Sequence, residues 1–138
     1  MIFLFALFLA FADLSDVKSE PNLERRSDLA LQNANRAIDE ARAAYQAGDI
    51  SKADVQLNEV RESVDVVLDA LENSGKKPRN SKYYKQAEIK LRQMLRRLAG
   101  FRDEMSVEDR KPLDDAATRL QEVHDRLLSE IMSKSKKR

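Results

Sequence analysis

The chain has 138 residues, the size of one domain, and 36% of them are charged while only three are glycine and three are proline. This composition favours long helices and argues against a β-sandwich. The absence of cysteine excludes disulfides, thiol catalysis and cysteine-based zinc sites. The net charge of +1 predicts no polyanion partner for the chain as a whole, so we expect no nucleic-acid ligand.

The first twelve residues form an uninterrupted apolar segment that ends in Ala10-Phe11-Ala12. An apolar stretch closed by small residues is typical of a secretory signal peptide, and it is shorter than the roughly 20 residues that span a bilayer. No Lys or Arg precedes the segment, so a buried or membrane-associated N-terminal helix is the alternative. We predict a signal peptide over 1–12 with cleavage after Ala12, a flexible leader over 13–21, and a periplasmic or secreted mature chain without a transmembrane helix.

Two helical patterns follow the leader. The first covers about 22–47, carries an alanine-rich stripe that allows close helix packing within a chain or between chains, and ends at Gly48. The second covers about 51–73, with Ser51 as the expected cap and apolar residues at alternating steps of three and four. Because the alanine stripe can pack between chains as well as within one, the sequence leaves the formation of a homo-oligomer open.

Two more patterns complete the domain. The third covers about 80–105 and begins near Asn80 or Ser81. The fourth covers about 107–132, where Pro112 either starts the regular helix or kinks its first turn. Residues 133–138 form a basic tail. Short connections make consecutive helices antiparallel, so the fold class predicted for 22–132 is an all-α, antiparallel four-helix up-down bundle, or two long helical hairpins side by side.

One turn carries a family resemblance. Ala41-Arg42-Ala43-Ala44-Tyr45-Gln46-Ala47-Gly48-Asp49-Ile50-Ser51-Lys52-Ala53, followed by Leu57, resembles the middle of a tetratricopeptide (TPR) repeat over about 34–66. The 34-residue period does not recur, both helices are longer than a repeat allows, and the usual Trp is absent. The resemblance implies a tight helical hairpin, and a peptide-binding repeat groove is the further possibility that it raises.

Charge is strongly segregated along the chain. Residues 50–75 hold two basic and six acidic residues, whereas residues 76–102 hold ten basic residues and one acid. Either the basic third helix pairs with acidic neighbours inside the bundle, or its first part binds an anionic partner. We refer to this first part as the basic corner. The candidate binding residues of the basic corner are Lys76, Lys77, Arg79, Lys82, Tyr83, Tyr84 and Lys85.

No motif indicates catalysis. His124 is the only histidine, and its place beside the apolar seam predicts a boundary residue with a water or carboxylate partner. We expect no catalytic, cofactor-binding or metal-binding residues and therefore no enzyme. The predicted function is an exported, non-enzymatic interaction or scaffold module of the cell envelope, with a protein or an anionic envelope component as partner. The alternative is an anionic-ligand binder that uses the third helix, or a periplasmic chaperone, since Met105–Arg110 is similar to the Leu-Thr-Pro-Glu-Gln segment of Spy-like chaperones.

Overall fold

The computed structural model describes residues 14–133, and within this range all regular structure is helical. A short helix, α1, precedes four long helices packed together, which confirms the all-α class. The predicted signal peptide and the residues of the basic tail after Ser133 lie outside the described residues. The helices are α1 (Leu14–Lys18), α2 (Leu23–Gln46), α3 (Ile50–Asn73), α4 (Lys82–Glu104) and α5 (Lys111–Met132), with 3-10 turns at Pro78–Asn80 and Val107–Asp109.

Helix α1 corrects the prediction of a flexible leader over 13–21. Leu14 and Val17 are buried, Val17 completely, because α1 lies against α2 and α3. The connection to α2 is also held, since the Arg26 guanidinium donates a hydrogen bond to the backbone carbonyl of Glu20 at 2.8 Å. A five-residue helix is too short to show a repeating apolar pattern, which is why no pattern predicts it.

The helix ends follow local capping chemistry. The side chains of Asn22 and Ser81 accept hydrogen bonds from backbone N–H groups in the first turns of α2 and α4. Helix α3 is capped by Asp49, which replaces the expected Ser51. Gly48 has a φ of 80°, the left-handed conformation predicted for the residue that ends α2. Helix α5 begins at Lys111 after a 3-10 turn. The regular helix therefore starts next to Pro112, which is the first of the two alternatives that the sequence leaves open.

Ion pairs and packing contacts show which helices are neighbours, besides α2 with α3 and α4 with α5. Asp28 pairs with Lys90 and Asp39 pairs with Arg97, so α2 and α4 lie side by side and run in the same direction. Helices α3 and α5 also pack side by side, whereas α3 and α4 touch only marginally. The acidic helix α3 and the basic helix α4 are therefore diagonal to each other.

The core is built from the apolar seams of the four long helices. The alanines of the α2 stripe are buried within the chain, so this stripe is not available to a second copy. A buried polar contact also joins α2 and α3, because the Asn33 amide donates to the Ser63 hydroxyl at 2.9 Å and Arg36 donates to the Asn33 carbonyl oxygen at 2.8 Å. These contacts fix the register of the α2–α3 hairpin.

Candidate binding site: the basic corner

The basic corner occupies one end of the bundle, where the chain passes from α3 to α4. Lys76, Lys77 and Arg79 are exposed on this connection, and Arg79 lies in the 3-10 turn. Lys82 and Lys85 are exposed on the first turn of α4, which the Ser81 hydroxyl caps. The fold therefore brings the five predicted cations together at one end of the molecule and leaves all five in contact with solvent.

Tyr84 does not belong to the surface of this site, which corrects its assignment as a candidate binding residue. Its side chain is only 2% exposed, and its hydroxyl donates a hydrogen bond to the backbone carbonyl of Leu71 at 3.1 Å. Burial, and then the nearby Glu130 and Glu72 carboxylates, raise the pKa of the Tyr84 phenol above its ordinary value. Tyr84 is a core residue that ties the start of α4 to the end of α3.

Tyr83 lies at the edge of the basic corner and is half-buried against the core. The Lys82 ammonium lies 5.3 Å from the centre of the Tyr83 ring, within the range of a cation–π interaction. One face of the ring is therefore covered by Lys82, and Tyr83 supports the position of that cation.

The ten basic residues between 76 and 102 fall into two groups. Four of them form ion pairs with α2, with α5 or within α4, which confirms the pairing interpretation for the later part of α4. Within the described residues, the other six have no ion pair, and five of those six are the cations of the basic corner. The paired residues are Lys90 with Asp28, Arg92 with Glu88, Arg97 with Asp39, and Arg102 with Asp114; the others are Lys76, Lys77, Arg79, Lys82, Lys85 and Arg96.

A groove of about 670 Å³ adjoins the basic corner, between the 3-10 turn and the last turns of α5. Two cations, an amide, two serine residues and one carboxylate face it. The sequence continues from Ser133 into the basic residues of the tail, whose structure lies outside the described range. The lining residues are Lys77, Pro78, Arg79, Asn80, Ser129, Glu130 and Ser133.

Glu130 belongs to a small cluster of charged groups beside the groove. The Arg126 guanidinium lies 2.7 Å from a Glu72 carboxylate oxygen and 3.3 Å from one of Glu130. Burial raises the pKa of Glu130 above its ordinary value, and the neighbouring Glu72 carboxylate raises it further, although Arg126 and Tyr84 act in the opposite direction. Glu130, Ser129 and Ser133 were absent from the predicted site because they lie about fifty residues from the basic corner in sequence.

His124 has the boundary position and the carboxylate partner that the sequence predicts. It is 8% exposed, its Nε2 lies 2.8 Å from a Glu88 oxygen, and its Nδ1 lies 3.1 Å from Asp125. Burial raises the pKa of Glu88, but hydrogen bonds from His124 and Arg92 outweigh this effect and leave the pKa below its ordinary value. His124 therefore links α5 to α4 as part of the bundle.

Among residues 14–133, no group of three or more His, Asp or Glu side chains is placed to hold a metal ion. In the same range, no helix combines the length and the apolar character needed to cross a membrane. Comparisons with protein-family models, curated proteins and solved structures find no match to this chain. The geometry and the charge of the chain are therefore the observations that bear on its function.

Proposed function

We propose that this protein is an exported, non-enzymatic binding module of the cell envelope, whose basic corner docks an anionic partner. The observation that carries the proposal is that the ten basic residues of 76–102 divide into a paired group and an unpaired group. Four of the five cations in the later part of α4 are in ion pairs, all but Arg96. In contrast, the basic corner has five exposed cations without an acidic partner in the described part of the chain: Lys76, Lys77, Arg79, Lys82 and Lys85.

Clustered charges of one sign repel one another and lower the stability of the folded state. Acidic residues were available to neutralise the basic corner, yet α3 directs Asp65 and Glu72 toward the arginines of α5. A partner with negative charge would relieve the repulsion at the basic corner. The tail adds Lys134, Lys136, Lys137 and Arg138 directly after Ser133, which strengthens the expected attraction.

We further propose that the domain is built as two long helical hairpins stacked side by side. Its helices are antiparallel within each hairpin, and α2 lies beside α4 in the same direction. This arrangement differs from a ring in which every consecutive pair of helices is adjacent, because α3 and α4 touch only marginally. The basic corner lies at the connection between the two hairpins.

The chaperone alternative has less support. A client-binding surface needs contiguous exposed apolar area, and the large exposed apolar side chains are distributed over α3, α4, α5 and the turn before α5. These side chains are Ile50, Val55, Ile89, Val107, Leu128 and Met132.

Sedimentation with lipid vesicles tests the proposal. We expect the full chain to bind vesicles that contain phosphatidylglycerol and not vesicles of phosphatidylcholine alone. Binding should fall steeply between about 0.05 M and about 0.5 M salt, because it depends on exposed charges. The variant Lys76→Gln, Lys77→Gln and Arg79→Gln should lose this binding, since all three charges lie on the connection before α4.

The control variant is Lys52→Gln, Arg61→Gln and Arg96→Gln. It also removes three exposed cations that have no ion pair in the described part of the chain, but they lie on α3 and in the middle of α4. Equal binding by wild type and both variants would contradict the proposal. A parallel measurement with polyglutamate separates an acidic protein from a lipid surface as the partner.

A further inference from the structure

The groove beside the basic corner combines cations with one carboxylate whose charge is not fully balanced. Lys77 and Arg79 line the groove on one side, and Glu130 lines it on the other. A single arginine, Arg126, contacts both Glu130 and Glu72 of α3, at 3.3 Å and 2.7 Å, so the two carboxylates lie close together. Two carboxylates that share one guanidinium leave one negative charge in excess, directly beside the place where an anion would bind.

We propose that this groove is the phosphodiester-binding subsite of the basic corner, and that the ligand binds more tightly when Glu130 is protonated. The inference rests on the proposed function, because it assigns a ligand class and a regulation to the same site. A phosphodiester fits the donors that the lining residues carry, which are the Lys77 ammonium, the Arg79 guanidinium, the Asn80 amide and the Ser129 hydroxyl. The groove volume also leaves room for the groups that a phosphodiester carries.

The direction of the coupling follows from charge. Ionised Glu130 repels the phosphodiester, and protonation removes that repulsion, so affinity rises as the pH falls. The pKa of Glu130 lies above its ordinary value because of burial and of Glu72, which brings its titration closer to neutral pH. The remaining groups that face Glu130 are Arg126 on its own helix and the Tyr84 phenol on α4, and both stay protonated through the range of interest.

The expected size of the effect is moderate. One unit charge roughly 7 Å from the phosphate, in a medium close to water, changes the affinity about three-fold. A phosphodiester stays ionised between about pH 5 and about pH 7.5, whereas the raised pKa of Glu130 shifts the titration of that carboxyl group toward this range. A change in affinity over this range therefore reports on the protein.

The test measures binding of the full chain to phosphatidylglycerol vesicles at about pH 5 and about pH 7.5. We expect wild type to bind more tightly at the lower pH, by up to about three-fold. Glu130→Gln should bind at the higher pH at least as tightly as wild type binds at the lower pH, with little remaining dependence on pH. The control Glu108→Gln removes an exposed carboxylate at the opposite end of the bundle and should behave as wild type.

A second variant keeps the carboxylate in the groove and changes only its neighbour. Glu72→Gln removes the neighbouring carboxylate that, together with burial, raises the pKa of Glu130, so tightening should need a lower pH than in wild type. Free glycerophosphoglycerol, the same headgroup without acyl chains, distinguishes the sources. Binding of the free headgroup with the same pH dependence indicates a phosphodiester ligand in general, and pH-dependent binding to vesicles alone indicates a membrane surface.

Two results separate the failure of this inference from the failure of the proposed function. If the connection variant loses vesicle binding while Glu130→Gln matches wild type at both pH values, the groove is not the subsite and the basic corner still docks an anion. If the connection variant binds as wild type does, the proposed function fails and the inference fails with it.

Discussion

Tyr84→Phe separates the part of the predicted site that supports the fold from the part that faces a partner. The substitution removes only the hydroxyl, which donates to the Leu71 carbonyl at 3.1 Å in a buried environment. A net hydrogen bond contributes about 0.5–1.5 kcal/mol to stability. The same carbonyl also accepts from the backbone N–H and the hydroxyl of Ser74, so it keeps partners after the change.

The expected loss therefore lies at the lower end of that range, about 0.5–1 kcal/mol, or roughly 2–4 °C in Tm. Tyr84→Ala provides the contrast, because emptying the ring volume should cost about 3–5 kcal/mol. Urea unfolding of both variants gives the free energies, and vesicle sedimentation is run on the folded Tyr84→Phe protein. We expect lower stability and unchanged vesicle binding. Unchanged stability together with lost vesicle binding would place the hydroxyl on the ligand and refute its assignment to the core.

Three further substitutions test the fold by urea unfolding. Val17→Ala should lower the free energy of unfolding by about 1.5–2.5 kcal/mol, since it removes two fully buried methyl groups. The control Ser15→Ala changes an exposed residue of the same helix and should cost nothing. Equal results for the two variants would mean that α1 does not dock. Asn33→Ala should cost about 1–3 kcal/mol because Ser63 and Arg36 lose a partner, and a neutral result would contradict the register contact. Glu88→Gln should cost about 1–3 kcal/mol at neutral pH. Because the folded pKa of Glu88 is lowered, wild type loses this advantage as the pH falls below about 4.5, and a cost that stays constant at acid pH would contradict the assignment.

The long helices and their buried faces could be predicted because each contains enough turns to show a repeating apolar pattern. The left-handed conformation of Gly48 and the start of α5 next to Pro112 were predictable, because glycine and proline have strong backbone preferences. Helix α1 was missed, since its two buried side chains make no period. The diagonal placement of α3 and α4 was also missed, because the order of packing depends on contacts between side chains far apart in the chain.

The composition of the candidate site was predictable only in part. The cations of the basic corner are adjacent in sequence, so their clustering needed no knowledge of the fold. Tyr84 is also adjacent to these cations in sequence, but its spacing to Ala87 and Leu91 is that of a buried helix face, which is the stronger signal for the core. Glu130 and Ser129 reach the groove only because α5 ends beside the 3-10 turn, and no local pattern encodes that proximity.

The most direct test of the account is lysine acetylation of the full chain, followed by mass spectrometry, with and without phosphatidylglycerol vesicles. An exposed lysine that contacts the vesicle surface reacts more slowly than the same lysine in the protein alone. We predict that vesicles protect Lys76, Lys77, Lys82 and Lys85, and that the reaction at Lys52, at the opposite end of the bundle, is unchanged. Protection of Lys52 equal to that of the basic corner, or no protection at the basic corner, would contradict the account.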